Sequence, residues 1–276
     1  MLKIIQVELK KCICSLIFLG SILLITVLCF TATVYTDPSV GRTYTAFEAL
    51  FQLSDTIKQQ ELSLSAIQVF SNGLNGNYAT LFVPIAVGLS YVPLYCNECQ
   101  SGGIRIQLIR TKKWHYSIAK YISAMISGGL TLLFGYLIFG AIVFQTFPKF
   151  NIELAECQGL QLPDTTIIYY IKLCAGKFLY GMVSIWPSFL LCAFLRQVHL
   201  IICIPVLFCF LQNTVLDLMS FSYHTLVQIL LWTIPNRVSL LFYQFSWHGL
   251  LITLCGPILS FIVFSFCLYR RNDCGT

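Results

Sequence analysis

The segment between residues 96 and 120 reads CNECQSGGIRIQLIRTKKWHYSIAK and separates two apolar runs of membrane-spanning length. It is short and polar, and it contains five basic residues: Arg105, Arg110, Lys112, Lys113 and Lys120. Positive charge beside a spanning helix is retained on the cytoplasmic side of a membrane. The segment is therefore predicted to be a cytoplasmic loop between two transmembrane helices.

The composition is typical of a membrane protein. Of the 276 residues, 57% are hydrophobic and 10% are charged, and the mean hydropathy is +0.79. A soluble domain carries about 25% charged residues. The formal net charge of +6 comes from basic residues in short loops, whereas nucleic-acid binding requires a continuous basic face. The chain is therefore predicted to lie in a membrane and not to bind nucleic acid.

The 13 cysteines do not predict a disulfide framework. Most of them lie in apolar runs, where a free cysteine behaves as a small hydrophobic residue, and residues 36–78 contain none. Cys96 and Cys99 have the spacing of a redox or metal-binding pair, but no second pair lies nearby. A structural role is favoured for these two residues, and no metal site is predicted.

Six apolar runs are predicted to be transmembrane helices, which need about 20 mainly apolar residues. They cover residues 12–35, 79–95, 121–147, 178–195, 200–220 and 250–269. When both termini are placed in the cytoplasm, most Lys and Arg residues lie on that side, as the positive-inside rule requires. Without an internal repeat or linker, the sequence predicts an all-α integral membrane protein with a single domain over residues 1–276. No secondary structure is predicted for the external segments 36–78 and 221–249. The second segment is apolar enough to re-enter the membrane.

The N-terminal sequence MLKIIQVELKK has helical amphipathicity. One side of the predicted helix carries the apolar residues Leu2, Ile5 and Leu9, and the other side is polar. Two interpretations remain open: a helix that lies in the membrane interface, or a positively charged flank that orients the first span.

The basic loop has its own local pattern. Gly102-Gly103 interrupts a helix continuing from the second span, because glycine costs about 1 kcal/mol in a helix interior. The following IRIQLIR is compatible with a helix, with Ile104 and Leu108 on one face, and with a strand. A lone strand between membrane helices would leave its backbone groups unpaired, so we favour a short amphipathic helix.

Two further features concern helix contacts. Asp217 is an acid within the apolar fifth span, and Lys177 should lie at the same outer level on the fourth. We favour an ion pair between them over a role in a substrate pathway. Ser127, Thr131 and Gly135 form a stripe of small residues on the third span, which predicts close helix packing within the chain or against a second copy.

The order of residues in the basic loop resembles that of ABC-2 type ABC transporter permeases. Glu98, Gly102-Gly103, an apolar and basic stretch, and Lys120 are similar to the loop between the second and third helices in that family, and the resemblance covers nearly the whole chain. It implies a cytoplasmic coupling helix that contacts a separate ATPase subunit. The residues implied in coupling are Glu98, Gly102, Gly103, Arg105, Leu108, Arg110, Lys112, Lys113 and Lys120. The chain departs from the family in its Gly-Gly pair, where one glycine followed by threonine is more usual, and in its long first external loop.

The chain has no GxxxxGK[ST] phosphate loop and is therefore not expected to be an ATPase itself. The resemblance implies a permease subunit of an exporter in the bacterial plasma membrane, with ATP and Mg on the partner ATPase, no cofactor on this chain, and a second permease copy or paralogue. The expected substrate is a bacteriocin-like peptide, a drug or another amphipathic molecule. The alternatives are a membrane-embedded thiol-disulfide enzyme that uses Cys96 and Cys99, or a secondary transporter.

Overall fold

The apolar runs form α-helices, because a helix satisfies every backbone hydrogen bond within one segment when no water is present. A computed structural model describes residues 2–37, 41–148, 166–195, 197–219 and 247–273. The helices and strands are α1 (Leu2–Ile13), α2 (Leu16–Phe30), β1 (Thr33–Thr36), β2 (Thr43–Thr45), α3 (Ala46–Gln52), α4 (Asp55–Gln60), α5 (Ala66–Asn75), α6 (Asn77–Gln100), α7 (Gly103–Arg110), α8 (Lys113–Thr146), α9 (Thr166–Ser184), α10 (Trp186–Phe194), α11 (Val198–Met219) and α12 (Trp247–Asp273).

Within the described residues, four helical segments are long and apolar enough to cross a membrane: Tyr78–Gln100, Lys113–Thr146, Tyr170–Phe194 and Trp247–Leu268. A fifth results if α1 and α2, which meet at a bend of 64°, form one broken span. The prediction of an all-α membrane protein is thus confirmed, and helices are found at the predicted second, fifth and sixth spans. The apolar part of α11, Val198–Leu211, is shorter than a full span, so the count of six spans and the orientation stay predictions.

The predicted first span, residues 12–35, is wrong at both ends. Residues 12 and 13 belong to α1, and a new helix begins after Ser15, whose hydroxyl accepts a hydrogen bond from the Phe18 N–H at 3.1 Å. Helix α2 ends at Phe30, and Thr33–Thr36 pairs with Thr43–Thr45 in an antiparallel ladder. The β-branched Thr33, Val34 and Thr36 favour this extended conformation.

Two other predicted spans begin later than the helices that contain them. Helix α8 starts at Lys113 rather than at residue 121, so Lys120 lies inside the helix instead of opening it. The predicted fourth span, 178–195, consists of α9, which starts at Thr166, and α10, which are separated at Ile185. Pro187 lies in the first turn of α10, where its missing N–H removes one hydrogen bond that a continuous helix would make across Ile185. The predicted re-entrant segment 221–249 lies outside the described residues up to 246.

The long helix α8 packs closely against its neighbours through small residues. The Ser127 hydroxyl lies 3.4 Å from the Ser90 hydroxyl of α6, and the Thr26 hydroxyl of α2 donates to the Gly135 carbonyl at 3.2 Å. Gly128 of α8 faces Gly181 of α9, where an added Cβ on Gly181 would lie 2.6 Å from the Gly128 carbonyl oxygen. The small-residue prediction is confirmed, and the stripe contacts helices of the same chain.

The segment between α2 and α6, which received no structure from the sequence, folds over the end of the bundle opposite the basic loop. The β1–β2 hairpin and α3 follow α2, and α5 packs its Phe70 ring on Phe139 of α8 with ring centroids 6.1 Å apart. In the orientation predicted from the basic loops this is the outer end. We call the end that carries the basic loop the inner end.

Helix α3 begins with a capping box, which leads to a testable prediction. The Glu48 N–H donates to the Thr45 hydroxyl at 3.2 Å, and the Thr45 N–H donates to the Glu48 carboxylate at 3.0 Å. These hydrogen bonds, first that from the Thr45 backbone and then that from its hydroxyl, lower the pKa of Glu48 from its ordinary 4.5. The pKa of Glu48 is lower in the folded state than in the unfolded state. The cap therefore stabilises α3 fully at pH values above the unfolded-state pKa, and this stabilisation is lost as the pH falls through the folded-state pKa.

We expect ¹³C NMR of glutamate carboxyl groups in lipid nanodiscs to show a Glu48 midpoint below that of the denatured protein. The substitution Thr45→Val should raise the midpoint only in part, because the backbone donor remains. A Glu48 midpoint equal to that of the denatured chain would contradict the capping box.

Candidate functional site

Helix α7 is the projecting element of the inner end. Gly102 precedes it with φ 72°, a left-handed conformation that side-chain-bearing residues rarely adopt, and this turn separates α7 from α6. Ile104 and Leu108 pack against the core on the predicted face. The prediction of a helix rather than a strand in this loop is therefore confirmed.

Another side chain of α7 faces away from the core. Ile109 is 86% exposed, and the exposed Lys112 immediately precedes α8. Lys113 is the half-buried first residue of α8. Arg105 and Arg110 lie in α7, but their side chains are outside the described part of the structure. An apolar residue thus stands uncovered on a helix that is rich in basic residues.

Beneath α7, four charged residues of three helices form a cluster. The Lys120 ammonium of α8 donates to the carboxylates of Glu8 in α1, at 2.5 Å, and of Glu98 in α6. The Lys11 ammonium of α1 lies 3.2 Å from Glu8 and 3.2 Å from Glu98. We call Glu8, Lys11, Glu98 and Lys120 the Lys120 cluster.

The Lys120 cluster is balanced in charge and mostly shielded from solvent. The side chains of Lys120 and Glu8 are 1% and 6% exposed, and that of Glu98 is 19% exposed. Each cation bridges the same two carboxylates, and these contacts offset the desolvation penalty of burying the charges.

The cluster also closes the basic loop at its base. Glu98 and Lys120 are 22 residues apart, and α7 lies between them. Their ion pair therefore fixes both ends of the segment that carries α7, while Glu8 attaches α1 to the same point. The Cys12 thiol, which donates to the Ser90 carbonyl at 3.5 Å, adds a second contact between α1 and α6.

Lys177 is buried in α9 toward the outer end. Its side chain is fully buried and donates to the Asn75 side-chain oxygen of α5 at 2.9 Å. The Tyr180 ring centroid lies 5.8 Å from the ammonium. Asp217 belongs to α11, but its side chain is outside the described residues, so the Lys177–Asp217 ion pair stays a prediction.

Cys96 and Cys99 lie one turn apart near the inner end of α6. Cys96 is buried, and its thiol is hydrogen-bonded to that of Cys192 in α10. Among the described residues, no group of three or more His, Cys, Asp or Glu side chains could hold a metal ion. The thiol-disulfide alternative stays untested.

The structure brings Glu98 and Lys120 together from the predicted coupling residues and adds Glu8 and Lys11, which sequence reasoning missed. A signal for these contacts exists in the sequence. Glu8 is the one acid between residues 1 and 36, Glu98 is the one acid between residues 79 and 152, and Lys120 adjoins an apolar run. Isolated opposite charges at one membrane level are expected to pair.

No protein-family model and no curated protein matches this chain. The structure describes a helical membrane protein with a charged cluster at the base of a projecting helix. The basic loop carries that projecting helix. The geometry of that loop is therefore the observation from which a function has to be inferred.

Proposed function

We propose that the chain is the permease subunit of an ATP-driven ABC exporter of the ABC-2 type, in the plasma membrane of a bacterium. It would move a bacteriocin-like peptide, a drug or another amphipathic molecule and pair with a second permease copy or paralogue. A separate ATPase subunit would hold ATP and Mg. The observation that carries the proposal is α7, a helix with the exposed Ile109, whose flanking helices α6 and α8 are joined at the Lys120 cluster.

The two helices that flank α7 are joined to each other. The helices α6 and α8 both cross the membrane if the proposal holds, and the Glu98–Lys120 ion pair joins them directly below α7. A push on α7 therefore acts on α6 and α8 as a pair instead of bending the loop between them. Because Glu8 shares the same lysine, α1 would move with them.

The contact with the ATPase would use both charge and apolar surface. Ile109, 86% exposed, would enter an apolar pocket of the ATPase, and the surrounding basic residues would face acidic groups. Buried apolar anchors supply most of the affinity at protein interfaces, while charges select the partner and the orientation.

The test is co-purification with an ATPase that is encoded by a neighbouring reading frame and contains a phosphate loop. Reversing Arg105, Arg110, Lys112 and Lys113 to Glu should weaken the complex at least about tenfold, because like charges facing each other at an interface cost several kcal/mol. Lys3→Glu/Lys10→Glu is the control: both lysines are exposed on α1, on the same predicted side of the membrane, and this variant should retain the complex.

The reversal of four basic residues can also alter membrane orientation. Ile109→Asp avoids this complication, since it leaves all Lys and Arg residues in place and changes an exposed side chain. We expect it to release the ATPase as well. Full complex formation by both α7 variants would contradict the proposed role of this helix.

A further inference from the structure

Two aromatic side chains are uncovered on α3 at the outer end. Phe47 is 59% exposed and Phe51 is 70% exposed, and their ring centroids are 5.1 Å apart on one face of the helix. Ala46 and Ala49 are fully buried against the rest of the chain. Helix α3 therefore presents an apolar face away from the bundle, and its position relative to the membrane decides what that face contacts.

The depth of α3 in the membrane follows from the residues of α8 that lie at the same level. The Lys120 cluster marks the inner limit of the hydrocarbon layer, since its charged groups are accompanied by the exposed Lys10. Phe139 lies 19 residues further along α8, which corresponds to about 28 Å at a rise of about 1.5 Å per residue. The hydrocarbon layer of a bilayer is about 30 Å thick. Phe139 is thus level with the outer limit of that layer.

The start of α3 lies at this outer limit. The Phe30 ring at the end of α2 contacts the Phe139 ring with centroids 4.9 Å apart. Two residues later, the Ala32 carbonyl accepts a hydrogen bond of 2.8 Å from the N–H of Ala46, the first residue of α3. Helix α3 is therefore anchored to the end of α2 in the interfacial layer and not in bulk water.

The apolar surface of the transmembrane bundle leads up to α3. Leu19, Leu23 and Val27 of α2, spaced by one helical turn, are 54%, 60% and 62% exposed, which is the expected pattern of a lipid-facing side. Because α3 is hydrogen-bonded to the turn that ends α2, Phe47 and Phe51 extend this exposed apolar surface.

Helix α4 differs from α3 in depth. The Lys58 ammonium of α4 lies 5.9 Å from the ring centroid of Phe147. Phe147 is 27 residues beyond Lys120, or about 40 Å along the axis of α8. For an α8 axis perpendicular to the membrane, α4 therefore lies about 10 Å outside the hydrocarbon limit, although it follows α3 after two residues.

We propose that α3 is a membrane anchor whose Phe47 and Phe51 insert into the lipid leaflet opposite the Lys120 cluster, at the boundary between headgroups and acyl chains. Amphipathic helices bind at this depth with their apolar side chains in the acyl region. The anchor holds the outer end of α2, which is too short at 15 residues to span the hydrocarbon layer without the elements at its ends.

The test uses Phe51→Trp in the full-length chain, reconstituted into vesicles of phosphatidylcholine with or without bromine on the acyl chains. Bromine quenches only fluorophores that contact the acyl region. The emission added by the new tryptophan, relative to the parent protein, should be mostly lost in brominated vesicles and little affected by iodide in the buffer. Gln59→Trp, at an exposed position of α4, is the matched control and should show the reverse.

Two outcomes would overturn the proposal. Quenching of the Phe51→Trp emission by iodide, as for Gln59→Trp, would place the aromatic face of α3 in water. Protection from both quenchers would show that protein covers this face. Phe47→Trp provides a second probe on the same face and should agree with Phe51→Trp.

Discussion

Lys120→Met is expected to destabilise the protein by about 3–5 kcal/mol, the typical effect of removing one partner from a buried ion pair. Without Lys120, the carboxylates of Glu8 and Glu98 would remain together at a site where their side chains are 6% and 19% exposed. Lys11, 44% exposed at its side chain, would be the cation left to balance them. Thermal unfolding in detergent, followed by the loss of helical circular dichroism, measures the effect.

Lys11→Met is the matched control for Lys120→Met. It removes one positive charge that contacts the same two carboxylates. Because Lys11 is exposed, its ion pairs contribute only about 0.2–1 kcal/mol to the stability. The triple variant Glu8→Gln/Glu98→Gln/Lys120→Met should recover much of the stability, because no unpaired charge is then buried. Equal destabilisation by Lys120→Met and Lys11→Met would contradict the central position of Lys120.

Gly181→Ala is expected to have the second largest effect, a loss of about 1–3 kcal/mol or more from overpacking. The added methyl group would lie 2.6 Å from the Gly128 carbonyl oxygen and 3.0 Å from the Gly129 Cα. Both atoms belong to the backbone of α8, which cannot rotate away as a side chain can. The helices α8 and α9 would therefore have to separate.

The control for Gly181→Ala is Gly20→Ala in α2, where an added Cβ meets no atom within 4 Å. Alanine has the higher helix propensity, by about 0.5–1 kcal/mol, so the same substitution should be neutral or slightly stabilising at residue 20. The thermal unfolding temperature should thus fall for Gly181→Ala and stay unchanged or rise slightly for Gly20→Ala. A loss of stability in both would show that the close approach of α8 and α9 is not the cause.

Hydropathy was sufficient to predict where the long helices lie, because the energetic requirement to satisfy backbone groups in lipid applies to every apolar run. It failed at Thr33–Tyr35, where apolar and β-branched residues suit a strand as well as a helix. The strand forms because Thr43–Thr45 is available to pair with it, and hydropathy does not register such a partner. Proline did not predict the break between α9 and α10 either, because α6, α11 and α12 continue through their own prolines.

The candidate site was predictable only in part. The pattern of Ile104 and Leu108 predicted the helix in the basic loop because the contacts are local. The Lys120 cluster depends on contacts across 112 and 22 residues, and the sequence alone does not specify how helices are arranged. The solitary acids Glu8 and Glu98 indicated that each needed a partner, but they did not identify Lys120.

The spacing of the Lys120 cluster along the chain also constrains biosynthesis. When α8 leaves the ribosome, it carries a lysine whose transfer into lipid costs up to about 2.5–3.5 kcal/mol at the centre of a helix. Glu98 has been synthesised just 22 residues earlier and can neutralise that lysine within the α6–α8 hairpin, so the two helices are best inserted together. Glu8 can pair with Lys11 of its own helix at once, but its contact with Lys120 has to wait for α8. Helix α1 can contact α6 through Lys11 and Cys12 before α8 is made, but the first helix of the chain reaches its final position only when Lys120 has joined the cluster.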